Sequence, residues 1–221
     1  LSAVTTALRK EGAEVRPEIN HLITLNLFTT ITNANFDDES ILARVRKGLE
    51  LRDRLKVRAV EAGIVLPEAD ELTWNGKEEE YLSKSASVGV LREPNEDLRS
   101  LKELLMYGLK GMAAYHEHAM RLGFADEAIH AFMQSALARI TTQTMGADEL
   151  VALVLEAGQH GVQVMALLDR ANTTRYGHPE LTKVNIGVGK NPGILISGHD
   201  LHDLEELLRQ TEGTGVDVYT H

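Results

Sequence analysis

One histidine in this chain stands where α/β proteins place their chemistry. His199 follows the short apolar run Ile194–Ser197 and the turn residue Gly198, and leucines then recur on one helical face. This pattern predicts a buried strand, a tight turn and an amphipathic helix. In open α/β sheets, ligands bind at the carboxyl ends of the strands, and a neutral imidazole there can coordinate a metal. His199 is therefore a candidate metal ligand.

The residues after His199 leave two interpretations of the site open. His202 follows at i+3 and would lie on the same side of the predicted helix. The pair could form a two-histidine metal site, or His199 could be one ligand beside a solvent-facing neighbour. Asp200 suits the positive end of the helix in either case.

The other histidines favour structural interpretations. Tyr115, His116, Glu117 and His118 cluster on a long predicted helix, but no second element supplies converging ligands. We interpret His118, and likewise His160 in a later helix, as hydrogen-bonded and partly buried. We predict surface or turn positions for three more histidines: His21, His130 and His178.

The glycine-rich segment Gly187–Gly193 contains Lys190 but lacks the spacing of a phosphate-binding loop. A phosphate loop also leads into a helix, whereas a strand is predicted to follow here. We predict a plain turn.

Composition excludes several classes of function. The 221 residues carry a formal net charge of −10, which argues against sequence-independent binding of nucleic acid. Cysteine is absent, so this chain has no disulfide, thiol nucleophile or thiolate ligand. We expect neither a signal peptide nor a membrane span. The chain starts in a helical pattern without Met and stops in mid-strand, so we expect an internal fragment.

The first two-thirds of the chain is helical in pattern and predicts an antiparallel bundle. The apolar spacing and capping residues predict four helices: Asp37–Ala62, Glu96–Leu122, the shorter Ala125–Arg139, and Asp148–Asp169. The polar stretch Leu66–Glu79 is predicted to be a long connection or a small surface excursion. Asp148–Asp169 is apolar nearly all round, which indicates a buried core helix rather than a membrane span. The spacing of Glu96–Leu122 predicts a packing stripe through Tyr115, with Gly108 and Gly111 allowing close helix approach.

The sequence divides into three parts. We predict a helical bundle domain over residues 1–171 and a linker over residues 172–192, with a short extended piece at Lys183–Gly187. Residues 193–221 would form the first strand, helix and strand of an α/β domain.

Five segments together resemble one known family. They are TTITNANFDD at 29–38, GLKGMAAYHEHAMRLGF at 108–124, MALLDRANTTRYGHPE at 165–180, NIGVGKNPG at 185–193, and ILISGHDLHDLEELLRQTEGTGVDVYTH at 194–221. The chain is similar to the hybrid cluster protein (prismane) family, whose members are described as hydroxylamine reductases. The resemblance covers nearly the whole chain.

The resemblance implies a mainly α fold class, with two crossed three-helix bundles followed by the start of a Rossmann-like α/β domain. It implies a cubane-type iron–sulfur cluster held by N-terminal cysteines, and a hybrid iron–sulfur–oxygen cluster held by cysteines, glutamates and one histidine. That histidine corresponds to His199, whereas His202 is not among the family ligands and is expected on the surface. The implied activity is reduction of hydroxylamine to ammonia and water, or of nitric oxide, with electrons from a redox partner protein in the cytoplasm.

The chain departs from the family pattern in two respects. It has no cysteine, and it ends at His221, just before a Gly-Glu pair whose glutamate is a further ligand in the family. We therefore expect the fragment alone to hold no complete cluster and to be inactive. Two alternatives remain: a stand-alone helical binding module without chemistry, and a relative of the nickel–iron carbon monoxide dehydrogenases.

Overall fold

A computed structural model describes residues 1–32, 35–89, 92–142, 144–198 and 200–220. The chain forms two compact units, Leu1–Asp169 and Arg170–His221, and the boundary falls inside a long helix. The first unit is helical, and the second contains a strand, a helix and a strand. The predicted mainly α fold class is confirmed.

The first unit is built from helices that pack in pairs. Helix α2 packs against α6 and α1 against α7, while α3 contacts both α1 and α2. A 3-10 turn at Glu78–Glu80 joins two short helices. The helix bounds are α1 Ser2–Lys10, α2 Pro17–Thr29, α3 Asp38–Glu61, α4 Asp70–Thr73, α5 Tyr81–Val88, α6 Glu96–Arg121, α7 Glu127–Thr142 and α8 Ala147–Tyr176.

The predicted helix starts follow from side-chain caps. Asp37 accepts the Ser40 N–H at 2.9 Å, and Asn95 accepts the Asp97 N–H at 3.0 Å. These bonds satisfy amide groups that the first helical turn leaves without a partner. The predicted starts of α3 and α6 are thus confirmed.

Helix α6 buries part of the predicted packing stripe, at Leu105, Met112 and Ala119. Tyr115 is 46% exposed, whereas His116 is fully buried. A Cβ atom at Gly108 or Gly111 would meet no described atom within 4 Å outside its own helix backbone. We predicted that these two glycines permit a close approach by another helix. Among the described residues that prediction is wrong, because the buried face of α6 lies to one side of both glycines.

Helix α8 is buried on one side only. A stripe at helical spacing is buried, formed by Leu150, Leu153, Ala157, Val164 and Leu167. On the other side, Leu155 is 66% exposed and Val162 is 63% exposed. The predicted burial all round this helix is wrong, although its core stripe is confirmed. By length and composition alone, α8 could cross a membrane, and 28% of its most apolar window is buried.

The polar stretch before α5 is anchored by α3. Arg52 is only 3% exposed and donates to the Trp74 carbonyl at 2.7 Å. Lys56 donates to the Leu72 carbonyl at 2.6 Å, and the Leu72 side chain is 2% exposed. The stretch predicted as a surface excursion is therefore tied to the core, because two cations satisfy its carbonyl groups.

The second unit contains the end of α8, strand β1 (Gly193–Ile196), helix α9 (Leu201–Thr211) and strand β2 (Asp217–Thr220). The strands pair in parallel, from Gly193 opposite Asp217 to Ile196 opposite Thr220. The predicted strand, helix and strand are confirmed. The predicted burial of β1 is wrong, because Leu195 is 73% exposed on a sheet that has two described strands. Residues 183–187 form no strand.

Candidate functional site

The connection from β1 to α9 contains described residues immediately before and after residue 199. Strand β1 ends at Ile196, and Gly198 has a φ of +63°, in the left-handed region that favours glycine. On the other side, Asp200 caps α9 by accepting the Asp203 N–H at 2.6 Å. Because β1 and β2 run parallel, this turn lies at the carboxyl edge of the sheet.

His199, the predicted metal ligand, lies outside the described residues, so its role stays a prediction. His202 lies in the first turn of α9, and its side chain is 41% exposed. Its Nδ1 atom is 3.9 Å from Oε2 of Glu205. Among the described residues, no group of three or more histidine, aspartate or glutamate side chains could hold a metal ion.

A carboxylate connects the start of α9 to the end of α8. Glu205 accepts hydrogen bonds from the Arg175 guanidinium at Oε1 and from the Tyr176 hydroxyl at Oε2, the latter at 3.2 Å. The bond from Arg175 lowers the pKa of the Glu205 carboxyl. Burial raises the pKa of Tyr176, and the hydrogen bond to Glu205 adds to that effect. The carboxylate therefore stays ionised between its two donors.

The glycine-rich segment before β1 lies against β2. The Gly189 N–H donates to the Tyr219 hydroxyl at 2.7 Å, and the Asn191 amide donates to Asp217 at 3.1 Å. A Cβ atom at Gly189 would lie 2.2 Å from Oδ2 of Asp217, and one at Gly193 would lie 2.7 Å from the Tyr219 ring. These glycines are needed for close approach to β2, which the sequence pattern did not reveal.

Two histidines meet inside the helical unit. His116 is 0% exposed, His130 is 3% exposed, and their ring centroids are 4.3 Å apart. Nε2 of His116 accepts the Asp126 N–H at 3.3 Å, and Nδ1 of His130 lies 3.3 Å from the Thr24 hydroxyl. The predicted surface position of His130 is wrong. Its spacing from the buried Met133 is the signal that could have placed it in the core.

Both buried rings are held in the neutral form. Burial lowers the pKa of His130 to about 3, and the neighbouring His116 and Arg9 add to the shift. Burial also lowers the pKa of His116. We therefore assign this pair to the core.

The remaining histidines lie mostly as predicted. His118 is partly buried and contacts the Phe28 ring edge at a centroid distance of 5.5 Å. His160 is partly buried and stacks on Phe132 at a centroid distance of 4.0 Å. Its buried Nδ1 atom has no hydrogen-bond partner among the described residues, so the predicted hydrogen bond at this atom is not found. His178 is exposed, as predicted. His21 is half-exposed and lies 3.1 Å from the nearly buried carboxylate of Glu117.

Comparison with known proteins identifies the family. A model of the Prismane/CO dehydrogenase family matches residues 1–221. The chain belongs to the Prismane/CO dehydrogenase family. This family match spans the helical unit and the strand–helix–strand unit together. The predicted resemblance to the prismane family is thus confirmed.

Several relatives within the Prismane/CO dehydrogenase family carry the name hydroxylamine reductase. The chain is 60% identical to that of Desulfitobacterium hafniense (strain DSM 10664 / DCB-2), over 99% of this chain and 40% of the relative. It is 57% identical to that of Porphyromonas gingivalis (strain W83) and 54% identical to that of Bacteroides fragilis (strain YCH46), over 100% of this chain and 40% of each relative. The chain thus spans about two fifths of the length of these relatives.

Proposed function

We propose that this chain is part of an iron–sulfur oxidoreductase that reduces hydroxylamine to ammonia and water. The supporting observation is 53–60% identity to proteins named hydroxylamine reductase over at least 99% of the chain. The balanced reaction is NH2OH + 2 e⁻ + 2 H⁺ → NH3 + H2O. We extend the proposal to nitric oxide as a second substrate, on the family resemblance alone.

This chain can supply one ligand of the proposed hybrid cluster. His199 would be that ligand, and imidazole is a common ligand of iron centres. The described residues around it support this assignment, since Gly198 and Asp200, the N-cap of α9, lie at the carboxyl edge of the sheet. The chain contains no cysteine, so the thiolate ligands of both clusters must come from elsewhere in the longer protein.

When bound, the clusters would supply the electrons, while the protein supplies ligands, access and orientation. In this proposal, the connection between β1 and α9 would orient the His199 imidazole toward the hybrid cluster. Two electrons are required for each hydroxylamine, so we propose a redox partner protein as donor and a cytoplasmic location, as the family resemblance implies.

The two alternative functions are less well supported. The family description includes carbon monoxide dehydrogenases, but the relatives described above are named hydroxylamine reductases. A stand-alone helical module would not explain a continuous match that runs through both units of the chain.

The test uses the full-length protein that contains this chain, purified without oxygen. We expect bound iron, visible absorption and hydroxylamine-dependent oxidation of a reduced viologen dye. His199→Gln should abolish turnover and remove the signal of the hybrid cluster, whereas His202→Gln should retain both. A colourless, iron-free protein would contradict the proposal, and carbon monoxide oxidation without hydroxylamine reduction would favour the dehydrogenase alternative. Equal losses in both variants would favour the two-histidine site.

A further inference from the structure

We propose that the exposed apolar side of α8 is a docking surface for a helix from the part of the longer protein that lies outside this chain. The inference rests on the proposal that the chain is part of a longer protein, and it does not depend on the reaction. It concerns residues 151–165 of the helical unit, all of which the structure describes.

The docking surface is a row of five residues, which we call the outer seam of α8. Their spacing alternates between four and three positions, so they lie along one side of the helix. None of them is charged, and the four with apolar side chains are 44% to 66% exposed. The outer seam consists of Val151, Leu155, Gly158, Val162 and Met165.

The spacing of the outer seam indicates what kind of element covers it. Alternation of four and three is the pattern with which one helix packs against another in a coiled coil. From residue 151 to residue 165 the seam is about 21 Å long, at a rise of 1.5 Å per residue. A partner helix of about four turns would therefore cover it.

A different side of α8 is already packed in the helical unit. Leu150, Leu153 and Ala157 are 0%, 1% and 6% exposed, and they follow the same helical spacing. A helix that is apolar on more than one side is typical of an interior position. Lipid would have to surround α8, and the packed stripe prevents that.

Gly158, in the middle of the outer seam, allows a partner to come close. Outside the backbone of its own helix, no described atom lies within 4 Å of the position that its Cβ would occupy. Glycine weakens a helix interior relative to alanine, and the described contacts give no packing reason for it here. The missing side chain leaves room for the backbone of a second helix.

The relatives indicate where that helix comes from. The match to the Porphyromonas gingivalis relative covers 100% of this chain, α8 included, and 40% of the relative. About three fifths of such a protein therefore lies outside this chain. A helix in the same polypeptide is held at a high effective concentration, so it meets the seam before a separate molecule does.

The experiment measures how fast a thiol on α8 reacts with a maleimide in the full-length protein. Leu155→Cys and Val162→Cys probe the outer seam, and Ala157→Cys is the buried reference on the same helix. Val60→Cys on α3 is the matched control, because Val60 is 68% exposed and Leu155 is 66% exposed. Peptide mass spectrometry identifies each introduced thiol, and the urea-unfolded variants give the rate of an uncovered thiol.

We expect the thiols at positions 155 and 162 to react at least about 10-fold more slowly in the folded protein than in urea, as the thiol at position 157 does. The thiol at position 60 should react at close to its rate in urea. Circular dichroism shows whether each variant is folded. If Leu155→Cys does not fold, Val162→Cys decides the question.

Reaction of both seam variants as fast as Val60→Cys would overturn the inference. Equal protection in Val60→Cys would also overturn it, since it would reflect general inaccessibility. Protection that is lost when a dimer dissociates on dilution would assign the seam to a second copy, and protection only after addition of phospholipid vesicles would assign it to a membrane; both contradict the inference. No readout uses iron or turnover, so failure of the proposed reaction is distinguishable from failure of this docking.

Discussion

Acidification should destabilise the helical unit through His130, whose ring is buried and neutral. Its pKa is lowered to about 3 in the folded chain, whereas an unfolded histidine titrates at about 6.5. Between these values the unfolded chain binds a proton that the folded chain does not. Stability therefore rises with pH through this window and is lost as pH falls below about 6.5.

The magnitude follows from the same pKa values. Each pH unit below about 6.5 removes roughly 1.4 kcal/mol, so the step from pH 7.5 to pH 5.0 should lower the free energy of unfolding by about 2 kcal/mol. The charged groups around His130 have mixed effects on its pKa. His116, Arg9 and His21 disfavour protonation, and Asp126 opposes them.

The assay is urea unfolding of the 221-residue chain, followed by helical circular dichroism at pH 7.5 and pH 5.0. His130→Gln keeps a polar group near the Thr24 hydroxyl but removes the titration, so this variant should lose about 2 kcal/mol less on acidification. His178→Gln is the control, because His178 is exposed. Equal pH dependence in the unmodified chain and His130→Gln would refute the reasoning.

Three further substitutions test the packing of the helical unit by urea unfolding at pH 7.5. Asn95→Ala should cost about 1 kcal/mol, because it removes the cap of α6, and an unchanged unfolding midpoint would contradict that role. Gly108→Ala should stabilise the chain by about 0.5–1 kcal/mol, since its Cβ meets no described atom within 4 Å; destabilisation would instead reveal a close neighbour. Arg52→Met should cost about 1–3 kcal/mol, because it removes a buried guanidinium and leaves the part-buried Trp74 carbonyl without its donor. The exposed Arg54→Met should cost less than about 0.5 kcal/mol. Equal losses in the two arginine variants would show that Arg52 acts only as surface charge.

The starts of α3 and α6 were predictable because their determinants are local. The predicted end of α8 at Asp169 is wrong, because the helix continues to Tyr176 and includes the first residues of the predicted linker. Asp37 and Asn95 cap helices with hydrogen bonds that span two or three residues, so the sequence contains both partners. The strand, helix and strand after residue 192 follow in the same way from an apolar run, glycines and one leucine face. His199 could be selected from its position in that pattern and from the family resemblance.

Burial was predicted less well because it depends on partners far along the chain. His130 is buried against His116, which lies on another helix, and Arg52 is buried by carbonyls of a segment 22 residues away. Leu155 and Leu195 are apolar yet exposed, because no described element covers those faces. Hydrophobicity states what a side chain favours, whereas only packing decides whether it is covered.

The sequence by itself determined four helices of the bundle, the final strand, helix and strand, the absence of thiolate ligands and the family that the chain resembles. These depend on residue type and on spacing within a few positions. Only the tertiary structure decided that Glu205 joins α9 to α8, that Gly189 must lack a side chain beside Asp217, and that two histidines share the core. Such contacts join residues 14 to 30 positions apart, and short-range spacing carries no information about them.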